Sequence, residues 1–468
     1  MDYDVLILGG GILGCSVAYE MSKYNLNIAL IEKDYDIVDD ISFVNTSVVY
    51  DGSETSNELM SSLEKNGSKL IEEACSKFNV AYKKVGALRI VSDEKGIDDL
   101  INMYDRAKKR GIENVHLIES SDVYDIEPNI KYDVKKSLYS ENVAIIAPYD
   151  LAIAYGEVAA DNGVNFRFEE EVLDIQSISK GFKVTTNKNK FTCKAVINTI
   201  PDKKYMIDGE EIDRHEIMNN TTYLVVDGDD GNYLNKVIIN TIDEDKFVLN
   251  IPNLSNGYII GIKSSHQLTV EEGIKYANKV FPEVKRNNIS NIFNEECNKN
   301  LMYIDDSKID MGYISITGTH YGKITIAPAI AKTMSYTIAN NMKATYKKNF
   351  VDKRREVYRF REMNKSQRNE IISLDKRYGN IVCICNQVSE GEIVDCIRRP
   401  LGARTIEGIK RRTGAGLGSC YGSYCDRKIL NILAREMNKR PSDIVEDSKN
   451  SQLWPSRIKE FKKEFKGV

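Results

Sequence analysis

The sequence predicts an α/β chain, α+β overall: a parallel nucleotide-binding half, an inserted antiparallel-sheet domain and a small helical domain at the C-terminal end. Three observations carry this. The first 33 residues read as strand, glycine turn, helix, strand. Residues from about Tyr223 to Ile262 alternate apolar and polar over several runs. Five of the nine cysteines fall in the final quarter of the 468 residues.

The first element is Asp4-Val-Leu-Ile-Leu8, a continuous apolar run suited to a strand buried on both faces. Gly9 to Gly14 form the turn, Cys15 to Lys23 continue as a helix, and Asn27-Ile-Ala-Leu-Ile31 is a second buried strand ending at Glu32. A helical connection between strands of one sheet makes a right-handed parallel βαβ unit, the Rossmann-like start. Gly9, Gly11 and Gly14 have the GxGxxG spacing. One glycine allows the tight turn, one lets a pyrophosphate approach the backbone, and one lets the helix pack on the sheet. The helix N-terminus offers free N–H groups and partial positive charge to phosphates. Glu32 is placed to accept hydrogen bonds from an adenosine ribose. Between NAD and FAD the motif alone does not choose.

Further along, charged helices are expected around Asn57–Phe78 and Gly96–Gly111, and an amphipathic helix over Ile153–Asn162. Strands follow at Asn165–Phe168, Gly181–Thr186 and Lys194–Asn198, and then the alternating antiparallel region. A short strand at Gly312–Gly318 precedes a helix over about Pro328–Asn340. Between Lys343 and Arg377 twelve Lys or Arg stand against five acids, which reads as a solvated helical connector.

The cysteines divide into two kinds. Cys15, Cys75, Cys193 and Cys297 are scattered among hydrophobic segments and read as core thiols. Cys383-Ile-Cys385 and, 34 residues on, Cys420-Tyr-Gly-Ser-Tyr-Cys425 form two close pairs. Four thiolates so paired suit a 2Fe-2S cluster or a tetrahedral zinc, and a single intervening residue in the first pair favours the cluster. The loop Arg411–Gly418 between them is glycine-rich enough to bring backbone N–H donors to cluster sulfurs. Cys396, within a helix-like run, reads as a packing residue.

A net charge of −4 gives no general attraction to nucleic acid. The longest apolar stretch, Val5 to Tyr19, holds four glycines and follows Asp2 and Asp4, unlike a secretory signal or a membrane span. The expected location is the cytoplasm, with neither nucleic acid nor a membrane span involved.

Both ends carry a family resemblance. The N-terminal 340 residues resemble the D-amino-acid oxidase-type flavoenzymes, among them anaerobic glycerol-3-phosphate dehydrogenase large subunits and related 2-hydroxyacid oxidases. Landmarks are Val85-Gly-Ala-Leu88, Ile126-Glu-Pro128, Ala147-Pro-Tyr149 and Ala327-Pro-Ala-Ile-Ala331. The tail, Gly379–Cys385 with Ile409–Cys425, resembles a bacterioferritin-associated-ferredoxin-type 2Fe-2S domain. The resemblance implies FAD as the nucleotide and a 2Fe-2S cluster on Cys383, Cys385, Cys420 and Cys425. It adds Lys33, Ser42, Asn45, Val172, Gly322 and Thr325 to Gly9, Gly11, Gly14 and Glu32 as flavin-nucleotide contacts. It implies a dehydrogenase that oxidises a small polyol phosphate, 2-hydroxy acid or amino acid and hands electrons to a partner protein or subunit.

The chain departs from that family where substrate binds. Tyr50 stands where relatives have histidine, Asn198-Thr-Ile-Pro201 replaces Asn-Ala-Ala-Gly, and Tyr321-Gly-Lys-Ile-Thr325 replaces Ser-Pro-Gly-Leu-Thr. Relatives place an arginine before the last strand to hold an anionic substrate. Residues Phe293 to Lys308 contain none, and Lys299 is the only cation before Lys308. Lysine lacks the planar fork that grips a carboxylate or phosphate. Tyr50, His320 and Tyr321 are the acid–base candidates by position. These departures also admit an electron-transfer or assembly subunit that binds both cofactors and oxidises nothing itself.

The expected organisation has an oxidoreductase domain over 1–342. Its FAD-binding portions are about 1–80, 145–205 and 305–342, and its substrate or cap portions about 81–144 and 206–304. A basic helical connector over 343–379, a 2Fe-2S domain over 380–440 and a tail over 441–468 follow.

Overall fold

A computed structural model describes residues 1–38, 47–201, 203, 205–208, 218–227, 234–243, 246–254, 257–281, 284–298, 302–418 and 420–453. It divides into two compact units: Met1–Asp40 with Ala152–Ile197 and Lys343–Val468, and Ile41–Leu151 with Asn198–Met342.

In the first unit, Tyr3–Leu8 pairs in parallel with Ile28–Ile31, which pairs in parallel with Asn165–Arg167. On the other side of Tyr3–Leu8 lie, in order, Lys190–Asn198, Gly181–Thr186 and Val172–Ile178, the last three a meander. The apolar runs explain the parallel strands. Val5 to Leu8 and Ile28 to Ile31 are fully buried, at about 1.5–3 kcal/mol per large side chain. The helix Ile12–Met21 connects the first two strands, starting three residues earlier than the sequence suggests because Gly11 is already its N-cap.

The cysteine-bearing segment belongs to this unit, and one hydrophobic cluster joins its helices. Glu390–Arg398, Ile406–Thr413 and Asp426–Glu436 bury Ile393, Cys396, Ile406, Ile409, Ile429 and Leu433 together, so Cys396 is a packing residue as expected. Two buried ion-pair systems tie the segment to the nucleotide-binding elements. Arg412 makes a fork on Asp36, with Nη1–Oδ2 2.6 Å and Nη2–Oδ1 2.7 Å. Glu157 holds two guanidinium groups, Arg354 at 2.8 Å and Arg399 at 2.7 Å.

The connector corrects the sequence expectation. Within 343–377 the only α-helix among the described residues is Lys365–Leu374, and 351–359 forms no regular element. Most of it is exposed, as expected of a solvated segment, but parts are fixed by partners: Tyr346 stacks on Tyr24 at 4.7 Å, and Asp352 accepts a 2.8 Å hydrogen bond from Tyr19. Arg355 adds a fork on Asp161. A chain anchored every few residues to a neighbouring surface gains nothing from coiling.

The second unit is built on an eight-stranded sheet. Its order is Ile289–Asn298, Met218–Val226, Tyr258–Ser264, Lys246–Pro252, Val237–Asp243, Ala87–Val91, Lys136–Ser140 and Val115–Glu119. The expected antiparallel region is present, with one parallel pair where Val237–Asp243 meets Ala87–Val91. Two helices pack under a smaller three-stranded sheet of Val48–Val49, Ala144–Ile146 and Tyr82–Lys84. Glu58–Phe78 is capped by Asn57, whose side chain accepts from Met60 N, and stops at Asn79 in a left-handed conformation. Its buried face, Met60, Glu64, Gly67, Ile71, Cys75 and Phe78, recurs at helical spacing. Gly67 lets the helix Lys323–Asn341 approach so closely that a methyl group there would fall 1.8 Å from Thr325 O.

No helix among the described residues is long and apolar enough to cross a membrane.

Candidate active site and cluster site

In the first unit the glycine turn has the expected form. Gly9 has φ +96°, a conformation that disfavours side chains. Its N–H bonds to Ile31 O at 2.9 Å, fixing the turn to the second strand. Glu32 is buried at the end of that strand. Its Oε2 accepts from Gly10 N at 2.5 Å and its Oε1 from Asp34 N at 2.9 Å. No side chain caps Gly11, and the first turn carries no acid, so the helix end is open to an anionic group. A methyl on Gly10 would lie 2.9 Å from Glu32 Oε2, so turn and carboxylate fit only without a side chain there. This cradle suits a dinucleotide pyrophosphate and ribose. Gly14 is buried in the first helical turn, and Val172 is buried at the start of its strand. Lys33 is exposed and pairs with Asp34 at 3.1 Å. Ser42, Asn45 and Lys299 lie outside the described residues.

In the second unit the structure brings Tyr50, His320, Tyr321, Gly322 and Thr325 together. Gly322 is the N-cap of Lys323–Asn341. Thr325 Oγ1 accepts from Tyr50 N at 3.1 Å and donates to Val48 O at 3.4 Å, so its hydroxyl anchors the strand that carries Tyr50. The Tyr50 ring meets Tyr321 edge-on at 4.8 Å, and His320 lies 4.4 Å from Tyr321. His320 Nδ1 accepts from Gly322 N at 3.0 Å, which leaves the other ring nitrogen as the proton carrier of the neutral imidazole. Burial pushes the His320 pKa down to about 4.

A residue that sequence reasoning missed completes this cluster. Glu64 is wholly buried, its Oε1 lying 3.9 Å from His320 Nδ1 and 2.6 Å from where a methyl on Gly322 would sit. The Tyr321 hydroxyl faces the carboxyl, yet the pair falls short of hydrogen-bonding geometry. Both Glu64 oxygens and the phenol oxygen are without a hydrogen-bond partner among the described residues. Burial pushes the Glu64 pKa well above its ordinary value, outweighing the opposite pull of the Tyr321 hydroxyl, with smaller upward contributions from Asp51 and Glu54 and a smaller downward one from Arg110. Asp51 is raised as well, chiefly by burial, although Ser53 donates to it through N and Oγ. The helical spacing of Met60, Glu64, Gly67 and Ile71 is the signal that could have found it.

Tyr50 and Tyr321 pack against an apolar sheet face that includes Ala87, Ile239, Leu249 and Ile251. The arginine that this sheet brings near the cluster, Arg89, is already held by Glu54 at 2.8 Å and donates to Thr241 Oγ1 at 3.1 Å. It is not a free anion-binding fork.

The cysteine loops lie in the first unit. Cys383 ends the strand Ile381–Cys383, and Cys425 is the N-cap of Asp426–Glu436; both are buried. Burial, then the adjoining Cys383 thiol, raise the Cys425 pKa, so an incoming iron must displace protons here. Cys385 is exposed and Cys420 half-buried. A methyl on Gly418 would come within 2.3 Å of Cys385 Cβ, so the glycine-rich loop runs directly over that cysteine. Asn386 Nδ2 donates to Gly414 O at 2.6 Å and fastens the two segments. Among the described residues no three His, Cys, Asp or Glu side chains converge on a single-ion site. The sequence supplies two cysteine pairs, and two thiolates per iron is the demand of a binuclear cluster.

The open glycine turn with its buried acid marks a dinucleotide-binding protein, and the cysteine loops add a thiolate metal module to it. The chain belongs to the FAD dependent oxidoreductase family, whose profile matches residues 4–337, and residues 381–435 match the BFD-like 2Fe-2S binding domain. FAD and a 2Fe-2S cluster are the cofactors these two matches bring.

Among its relatives is a glycerol 3-phosphate dehydrogenase of Caloramator mitchellensis, 30% identical and covering 96% of this chain and 98% of the relative. A mitochondrial L-2-hydroxyglutarate dehydrogenase of Nematostella vectensis is 28% identical over 42% of this chain and 46% of its own. In fold the chain is similar to the FAD-bound L-alpha-glycerophosphate oxidase of Mycoplasma pneumoniae. That likeness has a TM-score of 0.67 at 22% identity, over 76% of this chain and 99% of the other.

Proposed function

We propose that this oxidoreductase is a dehydrogenase for a small 2-hydroxy acid, polyol phosphate or amino acid and that its electrons leave through the 2Fe-2S cluster. FAD supplies the two-electron oxidant and the cluster a one-electron exit. The single observation that carries the reading is the presence of all four paired cysteines on a chain whose oxidoreductase family match spans residues 4–337. Gly9, Gly11, Gly14, Glu32, Lys33 and Val172 would hold the adenosine and pyrophosphate end, with Gly322 and Thr325 at the flavin end. Cys383, Cys385, Cys420 and Cys425 would hold the cluster. We retain the domain plan of an oxidoreductase domain over 1–342, a connector over 343–379, a 2Fe-2S domain over 380–440 and a tail, although the compact units group 41–80 and 305–342 with the cap portions and the cysteine segment with the nucleotide-binding elements.

The acid–base work falls to the buried cluster of the second unit. Neutral His320 offers a ring N–H, and its low pKa keeps it uncharged at neutral pH. Glu64, held protonated, stands beside it as a second neutral proton carrier. Tyr50 and Tyr321 shape an apolar wall that excludes water.

The substrate follows from the same residues. With Arg89 engaged by Glu54 and no arginine in 293–308, a doubly charged phosphate lacks the fork that relatives place before the last strand. Glycerol 3-phosphate is therefore expected to turn over poorly. A lost hydrogen bond to a charged group costs roughly 1.5–3 kcal/mol, about ten- to a hundredfold in kcat/KM. Steady-state kinetics with glycerol 3-phosphate, L-2-hydroxyglutarate and glycine, each also tested for anaerobic flavin bleaching, decide this. A kcat/KM for glycerol 3-phosphate on the order of 10⁵ M⁻¹s⁻¹ refutes the argument. The occupied Arg89 and the tyrosine-filled apolar wall also favour a second reading, an electron-transfer or assembly subunit that binds FAD and the cluster without oxidising a substrate. Failure of every substrate to bleach the flavin, with reduction only through a partner, selects it.

A further inference from the structure

The surface around the cysteines has a composition that neither cofactor explains. Of the sixteen large apolar side chains exposed among the described residues, four lie in the two short cysteine segments. Tyr424 is 71% exposed, Ile384 68%, Tyr421 62% and Leu417 55%. Scattered exposed apolar residues are ordinary, but a group is not. These four are grouped by the loops that carry them. Ile384 sits between Cys383 and Cys385, and Tyr421 and Tyr424 lie between Cys420 and Cys425. Leu417 precedes Gly418, which lies against Cys385. The Cys383 and Cys425 thiols adjoin and Gly418 lies on Cys385, so the loops that carry the four exposed side chains meet at one place.

Charge gives the rim its partner. Residues 343–440 hold 23 Lys or Arg against 11 Asp or Glu, on a chain whose net charge is −4. Many of these bases are spent on internal pairs, but several stand close to the rim. Lys428 is exposed one turn after Cys425. Arg361 reaches to 3.4 Å from where a methyl on Gly414 would sit, with Glu362 as its 3.7 Å neighbour. Arg368 faces Gln387 at 3.5 Å. The segments 380–389 and 414–428 contain one acid, Asp426, which is half-buried.

We propose that the apolar rim of Ile384, Leu417, Tyr421 and Tyr424, with the basic residues around it, is the docking surface for a small acidic one-electron carrier protein. The proposal rests on the cluster reading above. One electron leaves the reduced cluster, which is oxidised by one, and enters the carrier's oxidised centre, which is reduced by one; no proton or atom crosses. An apolar centre over the donor excludes water and shortens the path, while surrounding charge steers the encounter and sets its salt dependence. An anionic membrane would also meet basic residues. The apolar side chains centre on the cysteines rather than on a helix face, which fits a partner that must bring its own redox centre close.

The full-length protein, with FAD and cluster verified by absorption, is reduced photochemically without substrate. It is then mixed with one of two carriers of similar potential and opposite charge, acidic plastocyanin or basic cytochrome c, or with a small neutral quinone. Because substrate oxidation is bypassed, a wrong substrate leaves the result untouched. The rate to plastocyanin is expected to fall tenfold or more as salt rises from low to physiological and higher strength, and the rate to cytochrome c to rise. Lys428→Glu and Tyr424→Ser should each slow transfer to plastocyanin at least fivefold while leaving the quinone rate and the cluster spectrum unchanged. If Tyr424→Ser disturbs the cluster, Leu417→Gln replaces it. A cytochrome c rate that falls with salt overturns the proposal. So do variants that slow quinone and plastocyanin alike, or salt-sensitive sedimentation with anionic phosphatidylserine vesicles alongside no salt effect on plastocyanin. A wild type with flavin but no cluster overturns the cysteine reading, and this surface with it.

Discussion

Two buried polar regions of this molecule are built on opposite terms. In the clasp that holds the cysteine segment to the nucleotide-binding elements, each carboxylate meets its guanidinium at salt-bridge distance: Asp36 with Arg412, Glu157 with Arg354 and Arg399. In the cluster of the second unit, Glu64, Tyr321 and one oxygen of Asp51 are buried with no hydrogen-bond partner among the described residues. Burying a polar group without a partner costs stability, and an ion pair that matches its charges avoids most of that cost. The clasp is therefore a device for fixing geometry. The cluster is a place where the fold tolerates a penalty, as sites of proton chemistry commonly do.

The largest expected effect comes from breaking the clasp. Glu157→Ala leaves Arg354 and Arg399 buried with their shared counter-ion removed, at a cost of about 3–5 kcal/mol. In guanidinium denaturation the transition of the cysteine segment should move to lower denaturant, with cluster lost before flavin. A Glu157→Ala protein whose midpoint and cluster content match the wild type would show that the pair carries no structural load.

That clasp marks how far the sequence was legible. The βαβ start could be read because continuous apolar runs bury strands on both faces, and glycines at fixed spacing leave few alternatives. The paired cysteines were equally plain. The connector was not, since Arg354 reads as a surface residue until its partner, Glu157, is found 197 positions upstream. Long-range ion pairs leave no periodic mark. The same holds for the parallel pairing of Val237–Asp243 with Ala87–Val91, which joins segments far apart in the chain. Glu64 and Gly67 did carry a mark, the helical spacing of a buried face, which the surrounding charge of Glu58–Phe78 obscured.

A second, smaller effect sharpens the contrast through His320. Its folded pKa, near 4, lies below the ordinary value of about 6.5, so the fold favours the neutral ring. The unfolded chain takes up a proton first as pH falls. The stability this residue contributes is complete above about pH 6.5 and is lost progressively toward pH 4, by roughly 3 kcal/mol in all. His320→Gln should flatten that part of the curve of thermal midpoint against pH. Glu64, Tyr321 and the Gly322 N–H face the ring, and the opposing slope that Glu64 contributes is common to both proteins and cancels in the difference between wild type and variant. An unchanged slope in the variant would place the titration elsewhere.

The smallest effect, seen at acidic pH, is also the sharpest test of the cluster. Because Glu64 is held protonated by burial and by the nearby Asp51 and Glu54, Glu64→Gln exchanges one neutral group for another of the same shape. With no hydrogen bond to lose among the described residues, the change below about pH 4.5, where the unfolded chain also keeps this proton, should stay within about 1 kcal/mol. Its sign then depends on pH. An acid whose folded pKa is raised keeps its proton in the folded state while the unfolded chain releases it, so wild-type stability falls as pH rises above the ordinary carboxylate range. The glutamine variant has no such proton, so its stability relative to the wild type should climb steadily from pH 5 upward. Infrared difference spectra of the same pair give an independent reading: the wild type should show a protonated-carboxyl carbonyl band near neutral pH that the variant lacks. A large loss at pH 6 with no such band would mean that Glu64 is ionised and paired. The two buried regions would then be of the same kind after all.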